Sequence, residues 1–130
     1  MSQKELEVIL TRQFADCLAM PIFLVDEAGN LLFYNEPAEK ILGRRFDETG
    51  ELPAQEWSTL FTPRDEQGKL IPPAKLPLMI ALSEHRPSHR LLQIRGLDGV
   101  PHRIEVTAFP LIGQRDRHLG AVAIFWEVEG

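Results

Sequence analysis

The sequence predicts an α+β domain: one five-stranded antiparallel sheet with short helices on one face, preceded by an amphipathic N-terminal helix. Three observations carry this. Two short β-rich runs joined by turn residues stand near the start. Helical patterns lie before them and in the middle of the chain. Apolar and polar residues alternate with period two in the last third. The 130 residues suit one domain, divided into the helix at 1–19 and the domain body at 20–128.

The elements follow in order. Leu6, Ile9, Leu10, Phe14, Cys17 and Leu18 recur at spacings of three and four, which predicts a helix over 3–18 with one apolar stripe. Ser2 and Glu5 are spaced as a capping box. Such a stripe either covers its own core or pairs with a second chain. After Pro21, Ile22 to Val25 and Leu31 to Tyr34 read as two strands. "DEAGN" at 26–30 joins them as a hairpin turn, with Asp bonding its own backbone and Gly29 and Asn30 tolerating positive φ. Asn35 is a strong N-cap, Pro37 suits the first helical turn, and Gly43 ends the helix in the left-handed region. Residues 44–72 read as irregular, with one helical turn in "PAQEWSTLF" and Trp57, Leu60 and Phe61 facing inward. Pro77 to Glu84 form a helix, apolar on most sides and so expected to be well buried. His89 to Arg95, His102 to Phe109 and Leu119 to Val128 form the last three strands, with an Asp-Gly turn in "GLDGVP" and an exposed loop in "GQRDRH".

Composition narrows the function. The hydrophobic fraction of 44% supports a real core. Fourteen Lys and Arg against 19 Asp and Glu leave a net charge of −5, a poor match to a phosphate backbone, so no nucleic-acid partner is expected. Cys17 is the only cysteine, which excludes an internal disulfide and a cysteine-rich metal site. No apolar run reaches the ~20 residues of a membrane span, and the N-terminus is not a signal peptide. The expected location is the cytoplasm, without membrane attachment.

The stretch "FLVDEAGNLLFYNEPAEKILG", followed by "LDGVPHRIEVTAFPL" and "LGAVAIFWEV", resembles the PAS domain family from about Met20 to Glu127. The resemblance implies a five-stranded sheet cupping a small pocket. It also implies a sensor that answers a ligand, a cofactor or a partner, pairs through the helix before its first strand, and serves a kinase or regulator. A filled-core interaction or dimerisation domain is the alternative. By the family topology the pocket lies between the sheet and the central helices, with Tyr34, Asn35, Trp57, Leu76, Met79, Ile80, Leu92, Ile94 and Val106 as candidate lining residues. The candidate homodimer interface joins Leu6, Ile9, Leu10 and Phe14 to Val122, Ile124 and Trp126 on the sheet's outer face.

Chemistry is tested motif by motif. The family's light sensors need a mid-domain cysteine beside the flavin, and here the middle has none, so the light-driven adduct is not expected and a non-covalent flavin stays as an alternative beside haem. Haem-binding members use a His near the long helix, which makes His85 and His89 the weak candidates. Pro87 between them breaks the helix that would align them for a metal. His102 and His118 read as surface residues beside turns. There is no G-x-S-x-G and no phosphate-cradling glycine loop. No enzyme activity, no metal and no cofactor are expected.

Overall fold

A computed structural model describes residues 20–128. The predicted N-terminal helix, with Leu6, Ile9, Leu10 and Phe14, lies outside the described residues.

The first hairpin forms as its turn chemistry requires. Strand β1 (Ile22–Asp26) and strand β2 (Leu31–Tyr34) pair antiparallel. The Asp26 carboxylate accepts from the backbone N–H of Ala28 (3.0 Å) and Asn30 (2.9 Å), and Gly29 takes φ +89°. Helix α1 (Glu36–Leu42) follows at once, capped by Asn35 and ended by Gly43 at φ +78°.

Residues 44–72 hold more structure than the sequence suggests. Helix α2 (Phe46–Thr49) and helix α3 (Ala54–Leu60) both lie there. Trp57 and Phe61 are buried as expected, but Leu60 is 38% exposed. The reason is angular: Leu60 stands three residues after Trp57, ~300° round a helix at about 100° per residue, and α3 is too short to be covered on two sides. Helix α4 (Pro77–Glu84) has the predicted bounds, but it buries only one side: Pro77, Leu78 and Ala81 are buried, while Met79, Ile80 and Leu82 are half-buried.

Strand β3 (Ser88–Arg95), strand β4 (Pro101–Ile112) and strand β5 (His118–Glu127) complete the sheet. The order is β2-β1-β5-β4-β3, with every neighbouring pair antiparallel. β5 therefore lies between β1 and β4, and these three strands form the centre. Gly120 makes the β5–β1 approach possible: at φ +150°, a Cβ there would stand 2.1 Å from the Val25 carbonyl oxygen.

Period two divides the side chains between two faces. Phe23, Val25, Tyr34, Leu92, Ile94, Ile104, Val106, Ala108, Ala121, Ala123 and Phe125 join the helices in one core. Ile22, Leu24 and Val122 form a second buried cluster on the opposite face, flanked by Leu32, Phe33, Phe109, Leu111 and Ile124.

Candidate functional site

Between the inner face of the sheet and helices α3 and α4 lies a cavity of about 90 Å³. Trp57, Leu76, Leu92, Ile94 and Val106, five of the nine candidates, line it. Each arrives by a simple local rule. Leu92, Ile94 and Val106 share the inward parity of β3 and β4. Leu76 precedes α4, and Trp57 sits on the covered side of α3. The Trp57 indole N–H donates to the Gly29 carbonyl at 2.7 Å, fixing the ring against the β1–β2 turn.

Phe23, Phe61, Leu78, Ile104 and Phe125 also line the cavity and were not among the candidates. Strand parity carries the signal for two of them: Ile104 alternates with Val106, and Phe125 with Ala123.

Four candidates lie elsewhere. Met79 and Ile80 do not line the cavity because α4 turns Pro77 and Leu78 toward it instead. Tyr34 is fully buried beside it, stacked on Phe23 with ring centroids 6.0 Å apart. Its hydroxyl donates to the Arg44 carbonyl at 2.9 Å and meets the Thr49 hydroxyl at 2.7 Å. Burial pushes the phenol above its ordinary pKa of 10.0, against the opposing effect of the Thr49 bond.

Asn35 is structural. Its Oδ1 accepts from the N–H of Ile22 (2.9 Å) and of Ala38 (3.2 Å), and its Nδ2 donates to the Met20 carbonyl (2.8 Å). One fully buried amide thus joins the start of β1 to the first turn of α1.

The histidines do not converge on the cavity. His85 is exposed at φ +56°, and its ring lies 3.7 Å from that of His118. His89 is on the outer face, with Nδ1 2.7 Å from the Thr107 hydroxyl. Neither lines the apolar cavity. His102 and His118 are less exposed than their turn-side positions suggest. The His102 side chain is 11% exposed, because it stands within β4 opposite Ile94 of β3, with Glu127 of β5 3.1 Å from its Nδ1. His118 is half-buried because it opens β5 against His85. Among the described residues no group of three or more His, Cys, Asp or Glu is gathered to hold a metal.

The outer face presents Ile124 and Trp126 half-buried, while Val122 beside them is only 4% exposed. Val122 is thus part of the second cluster, and Ile124 and Trp126 are the outer-face candidates with surface to offer.

A PAS domain family model matches residues 10–73. No curated protein matches the chain. Among solved structures, the fold is similar to the PAS domain of a protein from Colwellia psychrerythraea, 15% identical with a TM-score of 0.65, covering 94% of this chain and 97% of that one. It is similar to the LOV protein of Rhodobacter sphaeroides, 20% identical with a TM-score of 0.71, covering 98% of this chain and 69% of that one. The PAS domain of nitrogen regulation protein NR(II) from Vibrio parahaemolyticus is 17% identical with a TM-score of 0.62, covering 92% of this chain and 98% of that one. At such identities the likeness to these structures is one of fold. With a family model matched across its opening hairpin and a sheet in the order β2-β1-β5-β4-β3 backed by helices on one face, the chain has a PAS-like fold.

Proposed function

We propose that this chain is a PAS-type signalling module that takes its input through protein contact and performs no catalysis of its own. The observation that carries this is the size of the inner cavity. About 90 Å³ is far below the ~300–1,000 Å³ of a site for a drug-sized ligand. A tetrapyrrole or an isoalloxazine does not fit without repacking the core. The filled core turns attention to the outer face, where Ile124 and Trp126 flank the buried Ile22, Leu24 and Val122.

In this reading the chain divides into a pairing helix at 1–19 and a domain at 20–128. The homodimer interface joins Leu6, Ile9, Leu10 and Phe14 to Ile124 and Trp126, with Val122 supporting them from beneath. The downstream partner is a kinase or regulator. NR(II) and a two-component sensor histidine kinase are among the proteins whose PAS domains share this fold. The net charge of −5 argues against a nucleic-acid partner. Among the described residues no helix is long and apolar enough to cross a membrane, and the cytoplasm is the proposed location.

One observation favours a second reading, a sensor of a compact apolar molecule. The cavity wall is almost wholly carbon, with Trp57, Phe125 and Leu92 around it. Native mass spectrometry beside a visible absorbance scan separates the two. Contact signalling predicts dimers without a small-molecule adduct and without a visible band, and monomers once residues 1–18 are removed. An adduct released on denaturation would replace the first reading with the second. A dimer unchanged by the truncation would remove the helix from the interface.

A further inference from the structure

A second cavity, of about 340 Å³, lies at the far end of β3 and β4. Thr62, Arg64, Gln93, Arg95, His102 and Arg103 line it. Three arginines therefore line one cavity of a chain whose net charge is −5. Among the described residues no carboxylate lines it.

The backbone builds this convergence. The segment after α3 adds to the edge of β3: Arg64 and Gln93 exchange both N–H···O bonds, at 2.8 and 2.9 Å. Gln93 pairs in turn with Arg103 on β4. Arg64, Gln93 and Arg103 thus stand in one cross-strand row, with two strand spacings of ~4.8 Å each between the arginine backbones. Arg95 is two residues further along β3.

Two of the arginines are held in the same way. Arg64 Nη1 donates to the Gly68 carbonyl at 2.9 Å, and Arg95 Nη1 donates to the Gly99 carbonyl at 3.0 Å. Each acceptor is a turn glycine four residues on, at φ +82° and +85°. The turns themselves are locked, Asp65 accepting from the N–H of Gln67 and Lys69, and Asp98 from that of Val100. A guanidinium has five donors in a rigid fork, so one bond to a carbonyl orients it and leaves donors for a ligand. Arg103 Nη2 meets Glu66 at 2.9 Å. Thr62, at the same cavity, has φ +44°, a conformation that a β-branched residue rarely adopts.

We propose that this cavity binds a small molecule through a carboxylate or phosphate group, held by the Arg64, Arg95 and Arg103 guanidinium groups. An oxyanion is drawn to guanidinium charge and accepts paired N–H bonds from it. The cavity volume is of the order of a small-molecule site, ~300 Å³ and above. The proposal is independent of what meets the outer apolar face.

Isothermal titration of the full chain with inorganic pyrophosphate and, separately, with malonate tests it. Saturable one-to-one binding of either is expected, weakened as salt rises. The probe that binds more tightly shows whether phosphate or carboxylate is preferred. Arg64→Gln and Arg103→Gln should each weaken it about tenfold or more, with thermal midpoints near that of the parent. Glu66→Gln should tighten binding, since Glu66 competes for Arg103. Arg45→Gln, which alters an exposed arginine paired with Asp47, should leave affinity unchanged. No saturable binding of either probe up to about 10 mM would overturn the proposal. So would equal losses from Arg45→Gln and Arg64→Gln, or weaker binding in Glu66→Gln.

Discussion

On the helix-covered face of the sheet, Phe23 lies edge to face with Trp57 at 5.4 Å and stacks on Tyr34, while Phe46 meets Tyr34 edge to face at 5.3 Å. On the opposite face, Ile22, Leu24 and Val122 are buried among half-buried neighbours, and the adjoining strands turn polar at His89, Gln93, Arg103, Glu105 and Thr107. The same backbone serves both faces. An antiparallel sheet with one solvated face alternates apolar and polar residues cleanly. β3 and β4 follow that pattern over much of their length, whereas "IFLV" in β1 and "AVAIFW" in β5 are apolar on both sides. The difference separates a core that fixes the fold from a central outer strip suited to contact.

Substitutions can break this contrast, and the inner face should suffer most. Phe125→Ala removes a ring 4% exposed from the cavity wall. It should cost about 4 kcal/mol in urea-induced unfolding. A loss below about 1 kcal/mol would mean the two faces are equally soft.

Asn35→Ala tests the junction of hairpin and helix. It leaves the Ile22 N–H and the Met20 carbonyl without their amide partner and removes the cap of α1. A loss of about 3 kcal/mol is expected, measured by the same unfolding curves.

Tyr34 sharpens the comparison through pH. Its folded pKa is raised above 10.0 by burial, so the fold favours the neutral phenol. That contribution is complete below the unfolded pKa and is lost as pH rises through the folded one. Stability should therefore fall on the alkaline side of pH 10. Tyr34→Phe should lose about 1 kcal/mol near neutrality, with its hydroxyl bonds, and show a shallower alkaline fall. As Tyr34 is the only tyrosine, the tyrosinate absorbance reports its titration directly. Parallel stability curves for the two proteins above pH 10 would refute the assignment.

The smallest expected effect is on the outer face. Trp126→Ala should change monomer stability by no more than about 1 kcal/mol, yet shift the assembly toward monomer in sedimentation equilibrium. A large stability loss with no change in assembly would assign Trp126 to the fold instead.

Much of the fold was legible because its signals are local. "DEAGN" specifies its turn through one aspartate and one glycine, Asn35 and Gly43 bracket α1, and two prolines and a helical pattern set the bounds of α4. The resemblance to the PAS family made Val106 and Leu92 pocket candidates, and both lie on the inner face. What sequence did not disclose is non-local. Nothing near Phe46 announces that it will pack on Tyr34, a residue from another element. Met79 and Leu78 are equally apolar, and only the docking angle of α4 decides which of them reaches the cavity. The arginine cavity was hidden for the same reason, since Arg64 meets Gln93 only after a 29-residue excursion returns to the edge of β3.

The pairing of β1 with β5 has a mechanical consequence. Ile22 lies opposite Ile124, and the Phe125 N–H donates to the Pro21 carbonyl at 3.1 Å. The chain therefore comes into the sheet and leaves it at the same end of two antiparallel neighbours. Tension applied between residues 20 and 128 would load this ladder as a zipper, one rung at a time beginning at Pro21, rather than shearing all its rungs together. Such a seam yields at low force and in small steps, so a displacement at either end reaches the centre of the sheet before the helices on its inner face are disturbed.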